Sequence, residues 1–378
     1  MSHEAVTISV VNSGKDWNDF IKFPWKVYKK DQAWVPPLIT QQKDIFNKKT
    51  NPFFEHSEAE FYIARKGKET VGTIAAILNN RHNQVHNENV GFFGFFETVN
   101  NYEVAKKLLD TATEWGRNKK LDWIRGPENY SQNDTCGLLI DGFDTPPAIL
   151  MPHNPTYYQY LIEKYGFTKA MDLWAWEMGK DTEMSERLIN VVEKMKKRSK
   201  FTFRKINKKD FDNELEKIKY VYNNAWEKNY GFVPLTDHEL EHIAKNLAQI
   251  IDEDIVFFAE LDGQPVGFSL ACPDINQALK KLNGRLFPVG LFKLLYHSRK
   301  INRLRVIIMG IIKEYRNKGL DSVFYLDTYK KGIEKGYNWG EFSWILENND
   351  PMNTALQNIG ARVYKTYRIY EKKIVSSQ

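Results

Sequence analysis

The stretch Val306-Ile307-Ile308-Met309-Gly310-Ile311-Ile312-Lys313-Glu314-Tyr315-Arg316-Asn317-Lys318-Gly319-Leu320-Asp321 decides the fold. Its first seven residues are apolar and β-branched enough for a buried strand, and too few to cross a membrane. Residues 318–335 read as a helix. A strand that ends, turns through a flexible glycine and opens a helix leaves several backbone N–H groups unpaired and pointing one way. With Arg316 and Lys318 beside it, the turn is predicted to hold a phosphate-bearing cofactor.

The rest of the chain repeats this arrangement. Phe61-Tyr62-Ile63-Ala64-Arg65-Lys66-Gly67-Lys68-Glu69-Thr70-Val71-Gly72 reads as strand, tight glycine turn and strand. Val256-Phe257-Phe258-Ala259-Glu260-Leu261-Asp262-Gly263-Gln264-Pro265-Val266-Gly267 reads the same way, with Gly72 and Gly267 195 apart. Val90-Gly91-Phe92-Phe93-Gly94-Phe95-Phe96 matches the Val306 run; Gly94 and Gly310 lie 216 apart, as do Trp123 and Trp339. A third pair, Tyr165-Gly166-Phe167 and Ile359-Gly360-Ala361, falls at 194. Landmarks in one order, with compensating insertions within 273–305 and 126–154, imply duplication.

Each half reads as a hairpin, a long buried strand, a helix (102–119 and 318–335), a strand, a helix and a final strand pair. Such alternation gives an α/β (α+β) fold class with two tandem domains, each a central mixed, twisted sheet flanked by helices. The expected division is 1–180, a connecting helix at 181–200 and 201–378. The connecting helix rests on Met184, Leu188, Val191, Val192 and Met195, which recur at helical spacing.

Composition sets the frame. A chain of 378 residues is long for one core and comfortable for two. With 42% hydrophobic and 27% charged residues it is globular, not disordered. The net charge of +6 suits an anionic small ligand as well as nucleic acid. Cys136 and Cys272 have no CxxC or metal-ligand spacing, so neither a disulfide framework nor a zinc site is expected, and a reducing cytoplasm is the simplest location. The N-terminal residues lack the basic start and apolar region of a secretion signal, so no export is expected.

Hairpin, long strand, Arg-x-x-Gly-x turn, helix, then a strand running into Asn and a helix closing on Gly together resemble the GNAT superfamily of acyl-CoA-dependent N-acyltransferases, here in tandem over nearly the whole chain. The superfamily's pyrophosphate loop reads Arg/Gln-x-x-Gly-x-Gly/Ala. Arg316, Asn317, Lys318, Gly319 and Leu320 fit, and Asp321 stands where a small residue is usual. The resemblance implies that the amides of this turn hold the pyrophosphate of acetyl-CoA or a longer acyl-CoA, and that Ile311 and Ile312 pair with the pantetheine. Members commonly carry an Asn eleven residues before the closing Gly and a Tyr four before it. From Gly360 these positions are Asn349, which matches, and Leu356, which does not.

The tyrosine usually protonates the leaving thiolate, so another group must move the proton. Glu347, after the strand-like Phe342-Ser343-Trp344-Ile345-Leu346, could accept it from the incoming ammonium, or could cap the helix near Pro351 or face solvent. Tyr364, Tyr367 and Tyr370 are further acids in reach. On the 216 offset, Arg316–Asp321 correspond to Asn-Asn-Tyr-Glu-Val-Ala at 100–105, without basic charge or glycine. One cofactor per chain is therefore expected, in the second half, with a degenerate first half.

The expected function is transfer of an acyl group, acetyl first among them, to a small-molecule or peptide amine, with no DNA partner. Tandem GNAT-like halves also occur in Fem-type transferases, where aminoacyl-tRNA would be the partner, and a non-catalytic ligand sensor is a third reading. In the second half's insertion, residues 282–300 are apolar and basic together; a helix packed between the halves is favoured over a lid, an acyl groove or a surface helix touching anionic membrane. The loop from Gly126 to Asp134 could face the substrate through Glu128, Asn129, Asn133 and Asp134. The pairs His82/His86 and His238/His242 lack a third ligand and read as solvent-facing.

Overall fold

The computed structural model describes residues 4–182, 184–226 and 229–375. In chain order the elements are β1 (Val6–Val10), α1 (Gly14–Val27), α2 (Ile39–Ile45), β2 (Glu58–Lys66), β3 (Glu69–Leu78), α3 (Asn80–His86), β4 (Val90–Thr98), α4 (Tyr102–Asn118), β5 (Trp123–Gly126), β6 (Leu138–Asp141), α5 (Tyr157–Tyr165) and β7 (Thr168–Gly179). They continue with α6 (Glu186–Arg198), β8 (Phe201–Lys205), α7 (Phe211–Ala225), α8 (Asp237–Ala248), β9 (Val256–Leu261), β10 (Gln264–Pro273), α9 (Asn276–Leu279), α10 (Gly290–Ser298), β11 (Arg303–Ile311), α11 (Leu320–Glu334), β12 (Trp339–Leu346), α12 (Asp350–Asn358) and β13 (Arg362–Lys373). Two compact units result. One comprises residues up to Leu173, Ala278–Leu295 and the chain from Lys365 onward; the other comprises Trp174–Gln277 and Tyr296–Tyr364.

In the first unit, β1, β2, β3 and β4 pair antiparallel in turn, and β4 then pairs parallel with β5 through Val90–Trp123, Gly91–Ile124 and Phe92–Arg125. The C-terminal strand closes this unit: Tyr370 to Lys373 pair antiparallel with β5, and Thr366 to Arg368 with β6. The period of two along a strand sorts the core. Phe61, Ile63 and Phe92 face a cluster with Phe20, Phe46 and Phe53, whereas Tyr62, Ala64 and Phe93 face Leu108, Leu109 and Ile162 from α4 and α5. A two-residue turn at Gly67-Lys68, with Gly67 at φ 59°, joins β2 to β3.

The second unit repeats the plan. β8, β9, β10 and β11 pair antiparallel, and β11 pairs parallel with β12. Asp262 and Gly263, both at positive φ, form the hairpin turn between β9 and β10. One face carries α6 and α11, burying Val192, Val323, Tyr325 and Leu326 with Phe342 and Leu356; the other carries α7 and α8, burying Ile218, Val221 and Leu247 against Phe258, Phe268 and Leu270. Lys196 of α6 bonds both carboxylate oxygens of Asp327 on α11, at 2.8 and 2.6 Å. No helix among the described residues is long and apolar enough to cross a membrane.

Strand pairing refines the repeat. Val90 and Arg303 stand opposite the matched tryptophans Trp123 and Trp339, so the buried strands correspond at an offset of 213, not 216. The link from strand to helix is residues 99–101 in the first unit and 312–319 in the second. The counterpart of Gly319 is thus Asn101, and not Glu103, which the 216 offset gives: Asn101 and Gly319 are each the residue preceding its helix.

Candidate active site

β11 and β12 part company after four residue pairs. Arg303, Leu304, Arg305 and Val306 pair with Trp339, Gly340, Glu341 and Phe342, and β11 then runs on to Ile311 while β12 runs on to Leu346. A β-bulge at Leu270/Ala271 bends β11 against β10 at this point. Trp226, which follows α7, packs onto Gly310 so closely that a Cβ there would lie 2.1 Å from the indole. Glycine is required for that approach.

The predicted phosphate turn follows. Ile312 is buried and its N–H donates to Val266 O at 2.9 Å; a 3₁₀ turn spans Lys313–Tyr315. Asn317 at φ 59° and Gly319 at φ 77° adopt the left-handed conformation, which turns the chain into α11. Gly319 precedes α11 and has no side chain to accept from the first-turn amides of Leu320 and its neighbours. Lys318 and Arg316 are exposed beside them. The Arg316 guanidinium folds back, with Nε donating to Ile311 O at 3.1 Å and a terminal nitrogen to Ala225 O. It ties the end of β11 to the end of α7, leaving anion contacts to the backbone amides and Lys318. Asp321 sits half-buried in the first helical turn, where a carboxylate interacts favourably with the helix dipole. This donor set, uncapped amides at a helix N-terminus with Lys318 beside them, fits a pyrophosphate.

The first unit closes the same opening with its own chain. Beyond Phe92–Arg125, the Glu128 N–H donates to Phe93 O at 2.8 Å, and Asn129 Oδ1 accepts from Phe95 N at 2.7 Å. A Cβ on Gly94 would lie 2.2 Å from Glu128 O. The loop is held by Asn129 N to Thr135 O at 2.9 Å and Gly137 N to Pro127 O at 2.8 Å. The Asn101 side chain also caps α4, accepting from Glu103 N at 2.9 Å and Val104 N at 3.4 Å. Among the described residues, no loop of the second unit takes the place that Glu128 and Asn129 take in the first. Within this loop Asn133 N donates to Ser131 Oγ, and Asp134 accepts from Ser131 Oγ at 2.8 Å.

The predicted proton-handling positions separate. Glu347 lies in the turn after β12, half-buried, with its carbonyl accepting from Asn353 Nδ2 at 3.2 Å. Asn349 caps α12, its side chain accepting from Met352 N at 3.4 Å. Leu356 is fully buried with Phe342 and Ile345, so the position of the usual tyrosine is filled by core packing.

A second acidic site has no local signature in the sequence. Glu341, with no exposed surface, hydrogen-bonds Ser343 Oγ and the Tyr364 hydroxyl, and Arg305 Nε lies 3.6 Å from its carboxylate. Arg305 also donates to Ser343 Oγ at 2.8 Å and Ser343 O at 2.9 Å, satisfying a β12 carbonyl just past the last β11 pair. A fully buried acid requires such hydrogen bonds and countercharge. The group stands where the strands diverge. Its trace along the chain is a charge between uncharged neighbours in each of two adjacent strands, Leu304-Arg305-Val306 and Gly340-Glu341-Phe342, which the pairing register brings together.

One further reading changes. His82 is buried, not solvent-facing: its Nε2 lies 2.9 Å from Glu88 Oε2, and burial pushes its pKa down to about 4. The second expected pair is as anticipated at His238, which is exposed. Cys272 is buried beside Arg305 in the strand register, and burial raises its thiol to about 12, which disfavours a nucleophilic thiolate.

Comparison with known proteins places this geometry. No family model matches the chain. It is 34% identical over 384 aligned residues to Protein YghO of Escherichia coli (strain K12), covering 99% of this chain and 97% of that protein. It is 33% identical to the Bacterial ceramide synthase of Caulobacter vibrioides (strain NA1000 / CB15N), covering 98% of each. The fold matches a tandem GNAT protein from the clavulanic acid biosynthesis pathway with a TM-score of 0.60, at 9% identity, over 99% of this chain and 100% of that one. The chain belongs to the family of these two relatives, and its fold is that of tandem GNAT proteins. Within that fold, the second unit carries the Arg-x-x-Gly turn.

Proposed function

We propose that the chain is an acyl-CoA-dependent N-acyltransferase that binds one acyl-CoA, in its second unit, and forms an amide on a long-chain amino alcohol. The observation that carries the binding half is the contrast between units: an uncapped helix N-terminus behind diverging strands in the second, a capped helix and a plugged strand edge in the first. The acceptor and a fatty rather than acetyl donor rest on the relative named as a ceramide synthase, since a ceramide is a fatty amide of such an amine.

Acyl-CoA supplies a thioester whose carbonyl carbon is attacked by the amine; a C–N bond forms, the C–S bond breaks, one proton of the ammonium passes to the protein, and a second goes to the departing thiolate, which leaves as coenzyme A thiol. In this reading the amides of Leu320 and Asp321, with Lys318, hold the pyrophosphate. Arg316 fixes the end of β11 at Ile311 and Ile312, and the strand edge ahead of them orients the pantetheine arm. Glu341 receives the proton through the Tyr364 hydroxyl, with Arg305 and Ser343 holding the carboxylate in place. Glu347 and Asn349 border the site from the turn after β12.

Isothermal titration with acyl-CoAs of increasing chain length tests the first half of the proposal; one site per chain and tighter binding of long chains are expected. Two equivalent sites would refute it. Release of free coenzyme A thiol on adding a long-chain amino alcohol, and not on adding short amines, tests the second half.

A further inference from the structure

The insertion before β11 presents its apolar side chains to solvent. Its base is fixed inside the first unit: the Asn283 side chain accepts from Trp25 Nε1 at 2.8 Å, Gly284 O accepts from Ile39 N at 3.0 Å, and Leu282 and Ala278 are buried. Gly284, at φ 78°, sits so close to Trp25 that a Cβ would lie 2.4 Å from the ring. From this anchored base the chain projects Phe287, 87% exposed, and Phe292, 73% exposed, with Val289, Leu291, Leu295 and Tyr296 exposed beside them. Leu291, Phe292, Leu295 and Tyr296 lie on one face of α10, and Gly290 is buried on the other.

This pattern is inverted for a globular surface, where a helix turns its apolar stripe inward. The charges around it are of one sign. Lys281, Arg285, Lys293, Arg299 and Lys300 are exposed, and residues 275–313 contain no Asp or Glu. Three aromatic rings, aliphatic side chains and a basic segment without acids match a surface that is apolar inside and anionic outside.

We propose that residues 285–300 dock the protein onto an anionic lipid bilayer, with Phe287 and Phe292 inserted at the headgroup boundary and the basic residues against lipid phosphates. The assignment rests on charge complementarity and exposure and stands whatever the acyl acceptor is.

The test is co-sedimentation of the full chain with vesicles of phosphatidylglycerol and phosphatidylcholine, and with phosphatidylcholine alone. The wild type is expected to pellet with the anionic vesicles and to be released by salt. Phe287→Ser combined with Phe292→Ser, and separately Lys293→Glu with Arg285→Glu, should each weaken partitioning by about tenfold or more. Thermal unfolding should be unchanged in both, because the replaced side chains are exposed. Absence of pelleting, or pelleting that both double variants retain, would overturn the proposal. So would light scattering that finds a wild-type dimer which the aromatic variant makes monomeric, because the face would then be an interface between copies.

Discussion

Glu128→Gln probes the plug that closes the first unit. The Glu128 carboxyl is buried, one of its oxygens has no hydrogen-bond partner among the described residues, and burial raises its pKa from 4.5 to about 8. Arg125 opposes that rise, and Asp134 and Glu88 add to it. Between pH 4.5 and about 8 the folded protein keeps a proton that the unfolded chain has lost, so stability falls as pH rises through this window. At 1.36 kcal/mol per pKa unit, the loss across it is on the order of 4 kcal/mol. Glutamine has the same shape and no charge, so the variant lacks this slope. Urea unfolding of both proteins on either side of the window should give similar stabilities at the acid end and a variant more stable by about 3–5 kcal/mol at the alkaline end. Other titrating groups are common to both proteins and cancel in the difference. Parallel pH profiles would refute the reasoning, since they would mean that the carboxyl ionises without penalty.

Other outcomes test the site. Arg316→Glu should remove the thermal stabilisation by acyl-CoA, which in the wild type amounts to about 2.7 kcal/mol at a hundredfold excess over Kd; a retained shift would separate the turn from binding. Glu341→Gln should lower kcat by about 100-fold or more while leaving acyl-CoA affinity intact; unchanged kcat would return the proton to Glu347. Asn129→Ala removes the partner of Phe95 N and should destabilise the first unit by about 1–2 kcal/mol, read by urea denaturation, without adding a second acyl-CoA site because the Glu128 amide still occupies Phe93 O.

Much of the fold was legible because its signals are local. The hairpins at Gly67 and Gly263, the apolar runs from Val90 and Val306, and the helices after them are periodicities within a dozen residues, and they recur in order. The turn into α11 was legible for the same reason: Gly319 shapes it. The offset of 216 was less faithful, because a five-residue difference in the link before each helix leaves no mark on the tryptophans beyond it. The burial of His82 was not legible, because no local pattern distinguishes a histidine on a water-facing helix from one covered by Glu88 and Phe92.

What the sequence by itself determined is the repeated order of strands and helices and the Arg316–Asp321 turn that joins strand to helix, because both are written in neighbouring residues. Tertiary structure alone decided what each pair of parting strands meets. Every residue carries the same backbone N–H and C=O, so no residue type announces that Glu128 and Asn129 will take up the edge of β4, or that Arg305 will serve Ser343 across from Glu341. Those pairings depend on which distant segments the sheet brings side by side, and the C-terminal strand at Tyr370 beside Gly126 belongs to the same class.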